Sequence, residues 1–369
     1  SWQALADYYL TFCDESSFID FFWSYRNLYK PLFKIADIAR QLPNVKLIHS
    51  ISTGYAGLLG AGASVINNTP YLLTEHGIYT KERKIDLIQA DWIKESEAIL
   101  GKNLNTEMGF IRRMWITFFE QIGRTSYHQA DRIISLYEGN RQRQIKDGAC
   151  EKRSLVVPNG IKTAHYAKAL AARSKTIPLT VGLIGRVVPI KDIKTFIRAI
   201  KEVQSSMPAI EGWIIGPFEE DPKYYKECQL LVGSLELQNS VKFLGMQNIA
   251  EILPKLGLVA LTSISEAQPL VLLEAMAAGV PVLASDVGSC REIIEGATEQ
   301  DKALGKAGEV VSIASPSDTA VQITNILNNE DKWHEYQSSG LKRVKSFYDE
   351  SHMFARYDKL YKDTMSWPE

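Results

Sequence analysis

From Val45 onward the chain alternates short apolar runs with helical stretches, and the alternation occurs in two successive series. Neighbouring parallel strands need a crossover of a dozen or more residues, which is usually a helix, so this pattern predicts βαβ units and parallel sheets. In the first series VKLIH (45–49), PYLLTEH (70–76), RIISLY (132–137) and SLVVP (154–158) read as strands. GYAGLLGAGASVI (54–66), a long region from Lys84 to Ala130 broken near 101–105, and a stretch near 139–147 read as helices. The second series places strands at 179–187, 212–217, 240–245, 258–263, 280–285 and 307–312, with helices between them. The fold class expected is α/β, with two Rossmann-like doubly wound domains. The boundaries expected are an N-terminal domain over 1–160, a linker poor in large apolar residues over 161–178, a second domain over 179–345 and a C-terminal helix over 346–369.

A length of 369 residues suits two domains, and 45% hydrophobic with 23% charged residues suits a globular chain with a sizeable core. Lys and Arg total 42 against 43 Asp and Glu, so the basic footprint of a nucleic-acid binder is missing. Cys13, Cys150, Cys228 and Cys290 are far apart and form no CxxC pair, which argues against a disulfide framework or a structural zinc site. Apolar runs fall short of a bilayer span, Lys255 interrupting the best candidate, and no signal peptide is visible, so a cytoplasmic protein with reduced thiols is expected. Trp2 to Gln41 is rich in aromatics at helical spacing, including Phe18, Phe21, Phe22, Tyr25 and Tyr29, and reads as core.

In open α/β sheets ligands bind at the carboxyl ends of strands, and two such segments carry chemistry. In GLIGRVVPIKD (182–192), Arg186 ends a strand and Lys191 precedes a helix. A planar guanidinium fork and a mobile ammonium could clamp a diphosphate; a solvated basic pair is the plain alternative. In SEAQPLVLLEAMAAGVPVLAS (265–285), Glu266 lies in a loop after a strand and Glu274 in an apolar helix. An ionised carboxylate is costly there without partners, and two vicinal ribose hydroxyls would serve. A Glu on an exposed helix face is the alternative.

Arg186 with Lys191, then Glu266 and Glu274, then SDVGSCREII (285–294), resemble the donor-domain series of family 4 glycosyltransferases with the GT-B fold. ADRIISLYEGNRQRQIKDGA (130–149) followed by VVPNGI (156–161) is similar to that family's lead into its interdomain hinge. Within the family, TEHGIYTKERKIDL (74–87) and SEAQPLVLLEAMA (265–277) look like the Pel-type exopolysaccharide glycosyltransferases. The resemblance implies two domains facing a central cleft and a cytoplasmic enzyme beside a membrane export complex. It implies a UDP-sugar donor (UDP-glucose or a UDP-N-acetylhexosamine) and a polysaccharide acceptor.

Carried over by position, Arg186 and Lys191 bind the diphosphate, Glu274 the ribose, and Glu266 faces the transferring sugar. Gly185 allows close approach to the phosphates, and Pro269, Leu270 and Val271 open a helix whose amides add donors. Phe243 to Met246 line the uracil pocket, and His76 stands where the family places a histidine beside the reacting sugar. His49 is a second candidate, read as structural in a strand-to-helix turn. Retaining transfer by front-face displacement is expected, with no covalent intermediate, no cofactor and no metal; the acidic run 219–221 reads as solvated. The chain departs from the family at Ala267, where Gly is common, and in supplying no Gly-rich loop before Val45, which suggests an incomplete N-terminal domain. A UDP-sugar-binding scaffold or sensor, a UDP-sugar epimerase and a glycan phosphorylase are the alternatives.

Overall fold

The structure is a computed structural model describing residues 2–13, 17–90, 92–93 and 108–366. The expected helix break near 101–105 lies outside the described residues. The chain divides into two compact units. Unit 1 comprises 1–135, 140–156 and 358–369; unit 2 comprises 136–139 and 157–357.

Unit 1 holds four parallel strands in the order β1-β2-β3-β4: Ile48–Ser50, Tyr71–Glu75, Arg132–Ser135 and Ser154–Val156. All five β2 residues are buried, as a strand covered on both faces requires. β1 begins three residues later than the apolar run and extends to Ser50, so His49 lies mid-strand, paired with Leu72, and not at the strand-to-helix turn. The aromatic N-terminal stripe is core only in part. Helix Phe18–Gln41 buries Phe21, Leu28 and Ala39 against its neighbours, while Trp2, Phe12, Trp23 and Phe33 are exposed. The stripe is wider than the face one helix can bury, so its outer aromatics stay in solvent.

Unit 2 holds six parallel strands in the order β10-β9-β8-β5-β6-β7. These are β5 Thr180–Ile184, β6 Glu211–Ile215, β7 Val241–Gly245, β8 Leu258–Leu261, β9 Val282–Ser285 and β10 Gly308–Val311. The chain builds outward from β5 to β7, then returns to the other side of β5 with β8. Apolar side chains pack on both faces. Helix Ile193–Gln204 shows why these segments become crossovers: Ile193, Phe196, Ile197, Ile200 and Val203 recur at helical spacing and are all buried. Asp192 caps it, accepting from the Thr195 amide at 3.3 Å, a contact of about 1 kcal/mol in typical helices.

Residues 161–178 are not a free linker. Tyr166 and Ala169 are buried in the unit 2 core, and Arg173 donates to the carbonyls of Leu253 (3.2 Å) and Leu256 (3.1 Å) while covering the Trp333 ring. The stretch is short on large apolar residues because one tyrosine and one arginine anchor it. Helix Glu350–Met365 begins in unit 2 and ends in unit 1. Among the described residues no helix is long and apolar enough to cross a membrane.

Candidate functional site

The strand order reverses between β5 and β8, which makes the loops after these strands the sides of a topological switch point. The β5 loop carries Gly185, Arg186 and Lys191; the β8 loop carries Thr262 to Glu266. Backbone and side chain stitch the two together. The Ile264 amide donates to the Ile190 carbonyl at 2.9 Å, and the buried Thr262 hydroxyl lies 3.1 and 3.0 Å from the carbonyls of Lys191 and Asp192.

Across this seam the Lys191 ammonium donates to Glu266 Oε1. Ser263 Oγ donates to the same oxygen at 2.6 Å. Lys191 is 18% and Glu266 13% exposed, so each charge depends on its partner. Cys290 lies close enough that the Glu266 charge adds to burial in pushing its thiol up to about 12, which leaves it an inert thiol.

Two glycines make the geometry possible. Gly216, at the end of β6, has φ +145°, and a Cβ there would fall 2.1 Å from the Gly185 carbonyl oxygen. Gly288 has φ +56°, and its Cβ would fall 2.4 Å from the Glu266 carbonyl and 2.5 Å from that of Ala267. The Ser289 amide then donates to the Ala267 carbonyl at 2.9 Å, so the loop with Ala267 in place of glycine is held from outside.

Helix Leu270–Ala277 starts beside this loop with Pro269 at its N-cap and no side-chain cap, so its first amides lack a capping side chain. Glu274 is half-buried; burial raises its pKa above the ordinary carboxylate value, and a hydrogen bond with Tyr166 opposes that. Arg186 turns outward to Glu220, NH1 to Oε1 at 2.6 Å, with the side chains 53% and 51% exposed. The acidic run is therefore not merely solvated: Glu220 binds Arg186, Asp221 caps helix Pro222–Ser234 through the Tyr224 amide at 2.9 Å, and Glu219 accepts from the Phe218 amide. Phe243 packs edge-on to Tyr225, which stacks on Phe218 at 4.4 Å, and Met246 stands 79% exposed.

In unit 1, His76 is exposed directly after β2, and its carbonyl accepts from Asn140 Nδ2 at 3.4 Å. His49 is half-buried, Nε2 lying 2.9 Å from Thr74 Oγ1 and Nδ1 3.0 Å from the Tyr361 hydroxyl. Burial, then the charge of His76, lowers its pKa.

The structure thus brings Lys191 and Glu266 together, gives Glu274 to Tyr166, and pairs Arg186 with Glu220. Thr262, Ser263, Gly216, Gly288 and Tyr166 escaped sequence reasoning, and Glu220 lay within the acidic run read as solvated. Only the two glycines left a trace, each closing a strand-end motif.

Residues 171–343 match the family described as glycosyl transferases group 1, and residues 1–152 match a domain of unknown function, DUF3492. The chain is similar to N-acetyl-alpha-D-glucosaminyl L-malate synthase of Bacillus anthracis, 26% identical over 53% of this chain and 47% of that protein. It is also similar to exopolysaccharide phosphotransferase SCO2592 of Streptomyces coelicolor, 32% identical over 42% of this chain and 16% of that protein. The chain thus spans less than half the length of either relative. In fold it is similar to Anabaena Alr3699/HepE, solved in complex with UDP: TM-score 0.68 at 20% identity, covering 89% of this chain and 81% of that one.

Proposed function

We propose, from the match of residues 171–343 to the family described as glycosyl transferases group 1, that the chain is a retaining, metal-independent glycosyltransferase of Pel-type exopolysaccharide synthesis. In this reading it moves a hexose or N-acetylhexosamine from a UDP-sugar to a growing polysaccharide. The observation that carries the reading is the switch point of unit 2, where a cation from the β5 loop and a carboxylate from the β8 loop meet. A UDP-bound structure of similar fold supports the donor class, and an exopolysaccharide phosphotransferase among the relatives supports the acceptor class.

Arg186 and Lys191 are assigned to the diphosphate. The exposed Arg186–Glu220 pair is of a kind worth about 0–1 kcal/mol, so a diphosphate draws the guanidinium away at little cost. The amides opening helix Leu270–Ala277 add donors, and Glu274 accepts from the ribose hydroxyls. Phe243 and Met246 belong to the uracil side. As the bond from sugar C1 to the β-phosphate oxygen breaks, that oxygen keeps the electron pair, and the cations stabilise the growing charge. The acceptor hydroxyl forms its bond to C1 on the same face and passes its proton to the departing phosphate. Glu266 orients the transferring sugar, and His76 positions a hydroxyl or handles a proton. The setting proposed is the cytoplasm, beside a membrane export complex.

A thermal-shift screen of UDP-sugars identifies the donor, since a ligand bound to the folded state raises apparent stability. Incubation of that donor with a polysaccharide acceptor should release UDP and an α-linked product. Donor that binds but survives with acceptor marks a sensor or scaffold, and donor converted without acceptor marks an epimerase.

A further inference from the structure

Among the described residues of unit 1, the carboxyl group most fully withdrawn from water belongs to Glu75, the last residue of β2, and the function above makes no use of it. It is completely buried and collects donors from separate elements. Oε1 accepts from Thr53 Oγ1 at 2.7 Å; Oε2 accepts from the Tyr127 hydroxyl at 2.5 Å and Gln144 Nε2 at 3.0 Å; the Tyr79 amide donates as well. Thr53 is the N-cap of helix Gly54–Asn67, yet its hydroxyl makes no capping bond and serves Glu75 instead.

These bonds surround one short turn. The Tyr79 amide closes residues 76–79 back onto Glu75, and Asn140, one helical turn before Gln144, donates to the His76 carbonyl. A buried carboxyl group surrounded by donors from several elements is a rigid fixture, because moving any one of them leaves a polar group without a partner.

We propose that Glu75 is the positioning residue for His76: its carboxyl group locks the turn 76–79 against Thr53, Tyr127 and Gln144, so that the imidazole emerges from the end of β2 in one place. This rests on the role assigned to His76 above. The buried Gln144 Oε1 has no hydrogen-bond partner. It supplies an acceptor for the amide of Glu75→Gln once the Gln144 amide turns over, so this variant is the conservative one, replacing the carboxyl group that Tyr127 and Tyr79 hold with a neutral amide of the same size.

The test is a double-mutant cycle in the full chain with a UDP-sugar donor and acceptor. Glu75→Gln should lower kcat about tenfold, the scale of a sub-ångström misplacement, with the donor KM within about twofold because donor binding lies elsewhere. Combined with His76→Ala it should add nothing to the loss from His76→Ala alone. Hydrogen exchange should show the Tyr79 amide losing protection in Glu75→Gln. Additive losses, an unchanged kcat, or full protection at Tyr79 would overturn the proposal while leaving the role of His76 intact. An unimpaired His76→Ala enzyme removes that role and the positioning argument with it.

Discussion

Lys191 and Glu266, from loops that follow different strands, form an ion pair across the switch point of the six-stranded sheet, each less than a fifth exposed. The Ser263 hydroxyl shares the same carboxylate oxygen, and Thr262 holds the backbone of the lysine. Because partners in such a pair protect each other from the cost of a lone buried charge, removing one leaves the other charged but without its partner, a cost to stability.

Glu266→Ala should therefore have two separable effects. Turnover falls about a hundredfold or more, the scale of losing one transition-state contact, and the melting temperature falls because the Lys191 ammonium loses its partner. UDP affinity, measured by calorimetry, stays near wild type because the diphosphate cations remain.

Arg186→Ala should show the opposite pattern. Its ion pair with Glu220 is half exposed, so melting is unaffected, while UDP affinity drops by about tenfold to a hundredfold, the range for hydrogen bonds to a charged group. Unchanged calorimetric affinity would remove Arg186 from the diphosphate site.

UDP binding should weaken on acidification earlier than ordinary carboxylates dictate. Burial raises the Glu274 pKa above 4.5, and only the ionised form accepts hydrogen bonds from both ribose hydroxyls. Affinity is then highest well above that value and falls as pH drops through the raised pKa. Glu274→Gln should bind more weakly at neutral pH and lose this dependence, read from dissociation constants between pH 7.5 and 5.

Stability should fall as pH drops below about 6.5, in part through His49. Its folded pKa is lowered from 6.5, so in that window the unfolded chain binds the extra proton and gains. The loss is complete once pH lies below the folded value. His49→Gln should flatten the change in urea midpoint between pH 7.5 and 5.5.

The periodicity of residues such as Ile193, Phe196, Ile197 and Ile200 made the crossovers legible, because burial of one helix face is a local demand written every three or four residues. Strand-end motifs put Lys191, Glu266 and Glu274 in loops or helices after strands, whereas Arg186, read as ending a strand, lies in the loop after β5, which stops at Ile184. The linker reading failed because Tyr166 and Arg173 anchor that stretch through contacts with Glu274, Trp333 and two carbonyls far along the chain. β1 covers Ile48–Ser50 and not the apolar run 45–49, because pairing with β2 and not the run itself decides its extent.

The sequence by itself determined the two α/β series, the order of the charged motifs and the residue types at each strand end, since these depend on short-range pattern. Only the tertiary structure decided which charge meets which: Lys191 with Glu266, Arg186 with Glu220, Glu274 with Tyr166, and Glu75 with its ring of donors. Such pairings depend on strand order and on glycines that let backbones approach, and the energy of a charge depends on its neighbours in space and their exclusion of water.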